Sequence, residues 1–557
     1  MNRIWLKSYP AGVPAEIDQT RLRSLVALLE QACSRHRDRA AYEQMGRVLT
    51  FAELDTLTRA FAAWLQAAGL ARGDRIAIML PNTLQYPIAL FGALRAGLIV
   101  VNTNPLYTAP ELEHQLRDCG ARAILVLENF AHVVAQIAAR TALEKILVTA
   151  AGDFLSWPRS WIVNYVVRHR RKQVPPWHIP GAIDFRHAVR ASRTMPFERL
   201  EVGPDDIAFL QYTGGTTGIS KGAMLTHGNV TANVLQAEAW LGEGFIEPDV
   251  LITAIPLYHV FALSANGLLF AHLGWKNVLI INPRDFPALV AVMRKHPFGF
   301  FSGVNTLFNA LLHTPGFADM DFSRLKITLG GGMAVQAAVA QRWKQVTGCI
   351  LTQAWGLTET SPAATINPTG DDFNGSIGLP IPSTEIAIKD DDGKDMPVRG
   401  VGEICVRGPQ VMRGYWNRPD ETEKVMLPDG WLRTGDIGYM DERGFVYLQD
   451  RKKDLILVSG FNVYPNEVEE VAVTHPGVLE AAAVAQPDEH SGEAVALYVV
   501  PKNPSLTEHD IIEHCRHSLA GYKVPKHVYF RRELPKSNVG KILRKELREG
   551  AISSSKP

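Results

Sequence analysis

Between residues 50 and 127 the chain alternates between helical and strand-like patterns of apolar residues. TFAELDTLTRAFAAWLQAAGL (50–70) has helical spacing, with Thr50 as the predicted N-cap and Glu53 three residues later. The apolar runs in RIAIMLPN, IVVNTNP and AILVL are typical of buried strands, and helical patterns near 85–97 and in ELEHQLRDCG separate them. Because the alternation recurs through 207–365, we predict an α/β domain of layered subdomains with largely parallel sheets.

The pattern changes near residue 376, where short alternating strands such as STEIAIKD, GEICVRG and GFVYLQD are separated by turns. This change indicates a β-rich subdomain. After the charged run DRKKD (450–454), mixed patterns predict a compact α+β unit. Since 557 residues are too many for one compact core, we predict a large N-terminal domain at 1–449 and a small C-terminal domain at 450–557, joined by an exposed hinge near Asp450.

Composition narrows the class of partner. A formal net charge of +1 does not favour nucleic-acid binding. The five cysteines include no CxxC pair, which favours a reducing compartment over a disulfide scaffold or a zinc site. The N-terminus lacks the apolar core of a signal peptide, and the most apolar long stretch, 260–281, is interrupted by polar residues. We therefore expect a cytoplasmic protein in which 260–281 forms a buried helix running into a strand.

The glycine- and threonine-rich stretch YTGGTTGISKG (212–222) has the composition of a phosphate-binding loop. Glycine lets backbone N–H groups approach an anion closely, and hydroxyls and a lysine add hydrogen bonds and positive charge. It is not a Walker A loop, because Lys221 is followed by Gly222 instead of a hydroxyl residue. The stretch alone leaves the phosphate chemistry open, and a simple linker is the alternative.

Four further motifs follow in order: TQAWGLTETSP (352–362), WLRTGDIG (431–438), DRKKDLILVSGFNVYPNEVE (450–469) and PKSNVGKILRKEL (535–547). With the glycine loop they resemble the acyl-adenylate-forming superfamily of acyl-CoA synthetases, luciferases and peptide-synthetase adenylation domains. The segment from 429 to 469 is most similar to bacterial fatty-acid–CoA ligases. The resemblance implies that a substrate carboxylate attacks the α-phosphate of ATP, that acyl-AMP and pyrophosphate form, and that CoA then accepts the acyl group.

The resemblance also implies roles for single residues. Lys541 would bridge the carboxylate and the α-phosphate, while Glu359 and Thr213 would bind Mg²⁺. Trp355, where most relatives have Tyr or Phe, would stack on adenine, and Asp436 would accept hydrogen bonds from the ribose. The other residues assigned to ATP are Tyr212, Gly214, Gly215, Thr216, Thr217, Gly218, Lys221, Gly331, Gly332, Gly356, Thr358 and Arg451. Taken singly, the glutamate could be a helix cap, the tryptophan a core residue and Lys541 a surface lysine.

Movement of the C-terminal domain is a further implication. Asp450 resembles the hinge about which this domain swings between the two half-reactions, and Gly460 lies on the face that would bring in CoA. His259, in PLYHVFAL, resembles a residue near the acyl carbonyl, with a purely structural histidine as the equal alternative. The acyl chain is expected beside 256–267 and 303–308, which are mostly small or apolar.

The segment FLSWPRSWIVNYVVRHRRKQVPPW (154–177) interleaves aromatic and basic residues and contains no acidic residue. Such a composition suits a lipid–water interface, and a surface helix docked on its own domain is the alternative. We hypothesise peripheral contact with the anionic inner face of the cell membrane. The resemblance also allows a homodimer.

Three functions compete at this point. The first is a long-chain fatty-acid–CoA ligase that uses ATP, Mg²⁺ and CoA. The second keeps acyl-AMP formation but uses a medium-chain or aromatic acid, or a carrier protein as acceptor. The third is a non-catalytic lipid-binding relative, against which the intact Lys541, Glu359 and Asp436 argue.

Overall fold

The computed structural model describes residues 3–213, 220–245, 247, 249–488, 490–537 and 540–554. These residues form the strands β1 (Ala40–Gln44), β2 (Arg47–Thr50), β3 (Arg75–Met79), β4 (Ile99–Asn102), β5 (Ala123–Leu127), β6 (Lys145–Thr149), β7 (Ile183–Asp184), β8 (Ile207–Thr213), β9 (Lys221–Thr226), β10 (Val250–Thr253), β11 (Lys276–Leu279), β12 (Phe300–Gly303), β13 (Ile327–Gly330), β14 (Leu351–Gly356), β15 (Ala363–Ile366), β16 (Leu379–Pro380), β17 (Glu385–Lys389), β18 (Gly402–Arg407), β19 (Leu432–Met440), β20 (Val446–Arg451), β21 (Ile456–Val458), β22 (Phe461–Val463), β23 (Val478–Asp488), β24 (Gly492–Pro501) and β25 (His527–Phe530).

The helices alternate with these strands over most of the chain. They are α1 (Leu25–Arg35), α2 (Phe51–Ala67), α3 (Gln85–Arg95), α4 (Ala109–Cys119), α5 (Ala131–Ile137), α6 (Arg159–Tyr165), α7 (Phe185–Ala191), α8 (His227–Leu241), α9 (Val260–Ala262), α10 (Leu269–His272), α11 (Phe286–Lys295), α12 (Asn305–Leu312), α13 (Ala337–Thr347), α14 (Pro419–Val425), α15 (Pro465–Val473), α16 (Glu508–Arg516) and α17 (Arg544–Ser554). Two π-helical segments, Val166–Arg170 and Leu263–Leu268, extend α6 and join α9 to α10.

Two large sheets carry the N-terminal part. One has the strand order β7-β6-β5-β3-β4-β8-β9 and the other β16-β15-β14-β13-β12-β10-β11-β1-β2. Their central strands are parallel, and antiparallel pairs occur at the edges, as in β8–β9 and β14–β15. The alternation read from the sequence therefore predicted the layered α/β class correctly. The carboxyl ends of β8, β13 and β14 bring three loops of the second half of the domain toward one site.

Local sequence signals explain several of these elements. The Thr50 hydroxyl accepts a hydrogen bond from the backbone N–H of Glu53, whose carboxylate accepts one from the N–H of Thr50, so the predicted capping box opens α2. The strands β3, β4 and β5 are almost wholly buried, as expected for parallel strands covered on both faces. The stretch 260–281 forms helical turns that run into β11, as predicted. Within the described residues, no helix combines the length and apolarity needed to cross a bilayer.

Two smaller sheets follow. The antiparallel sheet β17-β18-β19-β20 is the predicted β-rich subdomain. A second sheet, β22-β21-β24-β23 with β25 beside β24, packs against α15 and α16 around its own apolar core, which includes Val468 and Leu497. The run DRKKD joins the two sheets, since β20 ends at Arg451 and β21 begins at Ile456.

Candidate active site

A cavity of about 1170 Å³ lies at the carboxyl ends of β8, β13 and β14, and Lys536, Ser537, Lys541, Ile542 and Leu543 also line it. Sequence reasoning had assigned twelve of its lining residues, namely Tyr212, Thr213, Lys221, His259, Gly331, Gly332, Trp355, Gly356, Thr358, Glu359, Arg451 and Lys541. These residues are spread over 330 positions of the chain, and the fold brings them to one space. Asp436 lies immediately behind this lining and contacts two of its members, Trp355 and Arg451.

Some of the assigned residues lie elsewhere. Gly214, Gly215, Thr216, Thr217 and Gly218 fall outside the described residues. Gly460 is exposed at the turn of the β21–β22 hairpin with φ of 83°, and it does not line the described cavity. Its CoA role stays a prediction, as does the hinge role of Asp450.

Glu359, the predicted Mg²⁺ ligand, lines the cavity. The Tyr415 hydroxyl donates to Glu359 Oε1 at 2.6 Å, which orients the carboxylate and leaves Oε2 as a further acceptor. Burial and this neighbouring carboxylate raise the pKa of Tyr415, so the phenol stays a hydrogen-bond donor. Thr213, at the end of β8, lines the same cavity. One carboxylate and one hydroxyl are the hard oxygen ligands that Mg²⁺ accepts beside phosphate oxygens.

Lys221 is held by an ion pair. Its ammonium group contacts Glu421 and lies 5.2 Å from the centre of the Tyr415 ring. This pair lowers the pKa of Glu421 to about 2 and keeps it ionised. An incoming phosphate group would therefore compete with Glu421 for the lysine.

The three residues predicted to bind the nucleoside, which are far apart in sequence, are joined through contacts with Asp436. Trp355 Nε1 donates to Asp436 Oδ2 at 2.9 Å, and Arg451 Nε lies 3.1 Å from Asp436 Oδ1. Asp436 and Arg451 are direct neighbours across β19 and β20. Asp436 is buried, and its Oδ1 has no well-aligned donor among the described residues, so it can accept a hydrogen bond from a ligand.

The glycines that line this cavity are required by the packing and conformation of the backbone, in addition to leaving space for a ligand. A Cβ on Gly356 would lie 1.8 Å from the carbonyl oxygen of Pro362, so only glycine fits at this chain crossing. A Cβ on Gly331 would come within 3.2 Å of Phe261, whereas Gly332 needs its glycine for a φ of 78°. The tight turn after β13 is therefore required by the backbone itself, whatever ligand lies beside it.

Lys541 enters the cavity from the C-terminal unit. Its turn is closed by hydrogen bonds between the backbone N–H of Ser537 and the Lys541 carbonyl (2.7 Å), and between the Lys541 N–H and Ser537 Oγ (3.1 Å). Thr306 Oγ1 donates to the Gly540 carbonyl at 3.1 Å and ties this turn to α12. Burial, followed by the nearby Arg451 guanidinium, lowers the pKa of Lys541 to about 7.

His259 lies close enough to Lys541 to be affected by its charge. Burial, then Lys541, lowers the pKa of His259 to about 4, so the ring is neutral at pH 7. Its Nδ1 accepts a hydrogen bond from the backbone N–H of Phe261 at 3.3 Å and caps α9. The side chain thus has a definite structural contact, and it also lines the cavity.

Apolar side chains make up much of the cavity wall. The stretch 256–267 lines the cavity as predicted, whereas only Val304 does so from 303–308. Sequence reasoning missed the contribution of α8 and of the strands behind it. The apolar lining residues include Val234, Ala237, Trp240, Leu241, Val260, Phe261, Ala265, Leu269, Phe300, Ile327 and Leu329. Since α8 directly follows the glycine loop and β9 in the sequence, its proximity to the loop could have been used to predict that it lines the cavity.

The run DRKKD is exposed only in part. Lys452 and Lys453 are exposed as predicted, whereas Asp450 and Asp454 are buried. Asp450 is 1 % exposed, and its carboxylate accepts hydrogen bonds from the backbone N–H groups of Arg451 (2.7 Å) and Asn466 (2.9 Å). The Arg544 guanidinium lies 4.0 Å away and forms a close ion pair with Glu469. The expectation of an exposed aspartate was wrong because a partly buried arginine from α17 balances its charge.

The sequence is similar to those of known proteins over nearly its whole length. Residues 29–416 match the family model described as AMP-binding enzyme, and residues 467–541 match its C-terminal domain. A protein of Escherichia coli O6:H1 named long-chain-fatty-acid–CoA ligase is 54% identical over 555 residues, which cover 99% of each chain.

Two solved structures show the same fold. The anthranilate CoA ligase AuaEII in complex with anthranoyl-AMP superposes with a TM-score of 0.86 at 26% identity, covering 96% of this chain and 99% of that chain. ATP-bound MatB from Rhodopseudomonas palustris superposes with a TM-score of 0.84 at 28% identity, covering 96% of this chain and 100% of that chain.

Proposed function

This chain belongs to the AMP-binding enzyme family, and on that premise we propose that it converts long-chain fatty acids to acyl-CoA, with release of AMP and pyrophosphate. The observation that carries the proposal is the composition of a single cavity. The carboxylate of Glu359 and the ammonium group of Lys541 line it together with many apolar side chains, and the carboxylate of Asp436 lies directly behind Trp355 and Arg451 of its wall. Such a space accepts a nucleotide and an alkyl carboxylate together.

The residues fit ATP with Mg²⁺. No group of three His, Cys, Asp or Glu side chains in the described part of the chain could hold a metal ion by itself. That agrees with Mg²⁺, which takes one or two carboxylates and completes its shell with phosphate oxygens and water. In our proposal Glu359 and Thr213 hold the ion, which supplies positive charge to the phosphate oxygens when bound.

In the first half-reaction, a carboxylate oxygen of the fatty acid attacks the α-phosphorus of ATP, and the bond to pyrophosphate breaks. Lys541 places a positive charge where the carboxylate and the α-phosphate, both anions, approach each other. Asp436 accepts hydrogen bonds from the ribose and Trp355 offers a flat face to adenine. His259 is neutral and contributes shape and a hydrogen-bonding edge rather than charge.

In the second half-reaction, the CoA thiol attacks the acyl carbonyl of acyl-AMP, the thioester bond forms and AMP leaves. We propose that residues 450–557 rotate about Asp450 as one body, because Lys541 occupies the cavity in the conformation described and must leave it. The exposed hairpin at Gly460 would then face the cavity and contact CoA.

The experiment is pyrophosphate release from ATP and Mg²⁺ with fatty acids of increasing length, with and without CoA. Steady turnover that requires CoA and is fastest with long chains supports the proposal. Release that ignores CoA would instead indicate adenylation for another acceptor, and a maximum with aromatic or medium-chain acids would exclude the long-chain assignment. No release with any acid would refute the enzymatic proposal altogether.

We also propose a cytoplasmic location with peripheral contact to an anionic membrane through 154–177. Trp157 is 86% exposed and Trp161 65%, so these two side chains face solvent, whereas Phe154 and Trp177 at the ends of the segment pack on the domain. Arg168 pairs with the buried Glu128 at 2.7 Å, which leaves Arg170 and its neighbours for the lipid. Vesicle flotation tests this contact, and light scattering tests the proposed homodimer against the 61.5 kDa mass of one chain.

A further inference from the structure

A second cavity, of about 710 Å³, lies next to the aromatic segment and has no part in the proposed reaction. Five arginines line it: Arg37 after α1, Arg47 on β2, Arg186 and Arg190 on α7, and Arg193 just after α7. Phe154, Leu155 and Trp157 form an apolar part of its wall. Guanidinium groups from three separate parts of the chain therefore converge on one opening.

The acidic residues in this wall are already occupied. Glu53 binds Arg47 and the N-terminus of α2, and Asp55 pairs with Arg95 and Arg59. Asp153 accepts hydrogen bonds from its neighbours Thr149, Ala150 and Asn164. The three carboxylates are thus engaged in holding the fold.

Four of the five arginines lack such partners. Across the part of the chain that the structure describes, the guanidinium groups of Arg37, Arg186 and Arg190 form no ion pair or hydrogen bond, and Arg193 acts only through its charge, which lowers the pKa of Glu53. The Nε atom of Arg186 is moreover buried without an acceptor. Arg37, Arg190 and Arg193 are exposed, so water solvates their guanidinium groups, whereas the buried Nε of Arg186 costs free energy for want of a partner. An anion in this pocket could accept hydrogen bonds from all four groups.

The opening of the pocket is lined by an exposed apolar side chain. Trp157 is in contact with the pocket yet 86% exposed. One and two helical turns further on, Trp161 and Tyr165 stack on each other with ring centres 5.3 Å apart, and Ile162 beside them is 46% exposed. Exposed tryptophan and tyrosine are favoured where a protein meets the interfacial layer of a bilayer.

We propose that the arginine pocket binds the phosphate of an anionic phospholipid headgroup while Trp157 and the α6 aromatics insert into the same bilayer surface. Arginine suits this task because its planar fork donates two parallel hydrogen bonds to phosphate oxygens. The exposed Arg170, Arg171 and Lys172 add attraction to the negatively charged surface. The proposed membrane contact of 154–177 would then include a lipid-binding site, and the arginines of that site lie outside this segment.

The test is flotation of the full-length protein, without ATP or fatty acid, on vesicles of phosphatidylcholine with and without phosphatidylglycerol. The pocket variant is Arg190→Glu/Arg193→Glu. Its control, Arg342→Glu/Arg532→Glu, makes the same charge change at two exposed arginines on α13 and after β25. A third protein, Trp157→Ser, removes the apolar side chain at the opening. Thermal unfolding of each variant checks the fold, and pyrophosphate release with detergent-dispersed fatty acid is measured in parallel.

Wild type and control should bind the anionic vesicles equally. The pocket variant should bind at least about thirtyfold more weakly, since loss of each arginine weakens binding roughly fivefold and the two glutamates add repulsion. Trp157→Ser should weaken binding to both vesicle types. Equal binding of the pocket variant and the control would overturn the proposal. So would binding of inorganic phosphate in calorimetry without any vesicle binding, because the pocket would then serve a free anion. Vesicle binding by a wild type that releases no pyrophosphate would refute the ligase while leaving the lipid site intact.

Discussion

Replacing Lys541 by methionine tests the charge placed between the two anionic substrates. Methionine keeps an unbranched apolar side chain of similar length and removes only the ammonium group. Lowering the lysine pKa from 10.5 to about 7 means that its charged form is disfavoured by roughly 5 kcal/mol while no anion is present. The carboxylate and the phosphates can restore that stabilisation during adenylation. We therefore expect Lys541→Met to slow acyl-AMP formation by about a thousandfold, within this limit of 5 kcal/mol.

The assay separates the half-reactions. Single-turnover pyrophosphate release without CoA follows adenylation, and conversion of supplied acyl-AMP to acyl-CoA follows thioester formation. The matched control is Lys536→Met, because Lys536 also lines the cavity but its charge is neutralised by both oxygens of Glu480, at 2.6 and 2.8 Å. Lys541→Met should affect the first assay far more than the second, and Lys536→Met should affect neither strongly. A loss below tenfold, or an equal loss in both assays, would refute the assigned role.

Three further changes have expected outcomes. Trp355→Phe removes the donor to Asp436 and should raise the KM for ATP about tenfold with little change in kcat; an unchanged KM would contradict the coupling. Gly356→Ala would drive a Cβ against the carbonyl of Pro362, and urea unfolding should show a loss of about 3 kcal/mol or more. His227 has a pKa lowered from 6.5 to about 4 by burial, so the unfolded chain binds its proton first as the pH falls. The free energy of unfolding should therefore fall by about 3 kcal/mol between pH 6.5 and pH 4, and His227→Asn should remove that share of the loss.

Most of the fold could be predicted from local sequence patterns. The capping box at Thr50, the buried runs of β3 to β5 and the change to short alternating strands near 376 are all encoded within a few residues. The pairing of strands is not encoded locally. That β1 would lie beside β11, more than 200 residues away, follows from packing across the whole domain.

The polar part of the site could be predicted because its motifs are short and contiguous. Glu359, Lys541 and Lys221 were found in that way, but their protein partners were not. Tyr415 and Glu421 come from a segment without a distinctive pattern, and only the folded chain brings them to the cavity. The buried state of Asp450 likewise depends on an arginine 94 residues later, which no local reading of DRKKD can include.

The wall of the large cavity is made by two kinds of structure. One part of the wall consists of strand ends and tight turns in which a single atom, such as a Cβ on Gly356, cannot be added. Another part consists of side chains on α8 and on the helical turns that follow His259, where the backbone stays the same when a side chain changes. In the proposed reaction, exchange of Val234, Ala237 or Leu241 would reshape the space for the acid without moving the strand ends. The residues proposed for the ATP-consuming step lie on other elements, at the strand ends and turns. The same fold could therefore accept new acids while those residues stay unchanged.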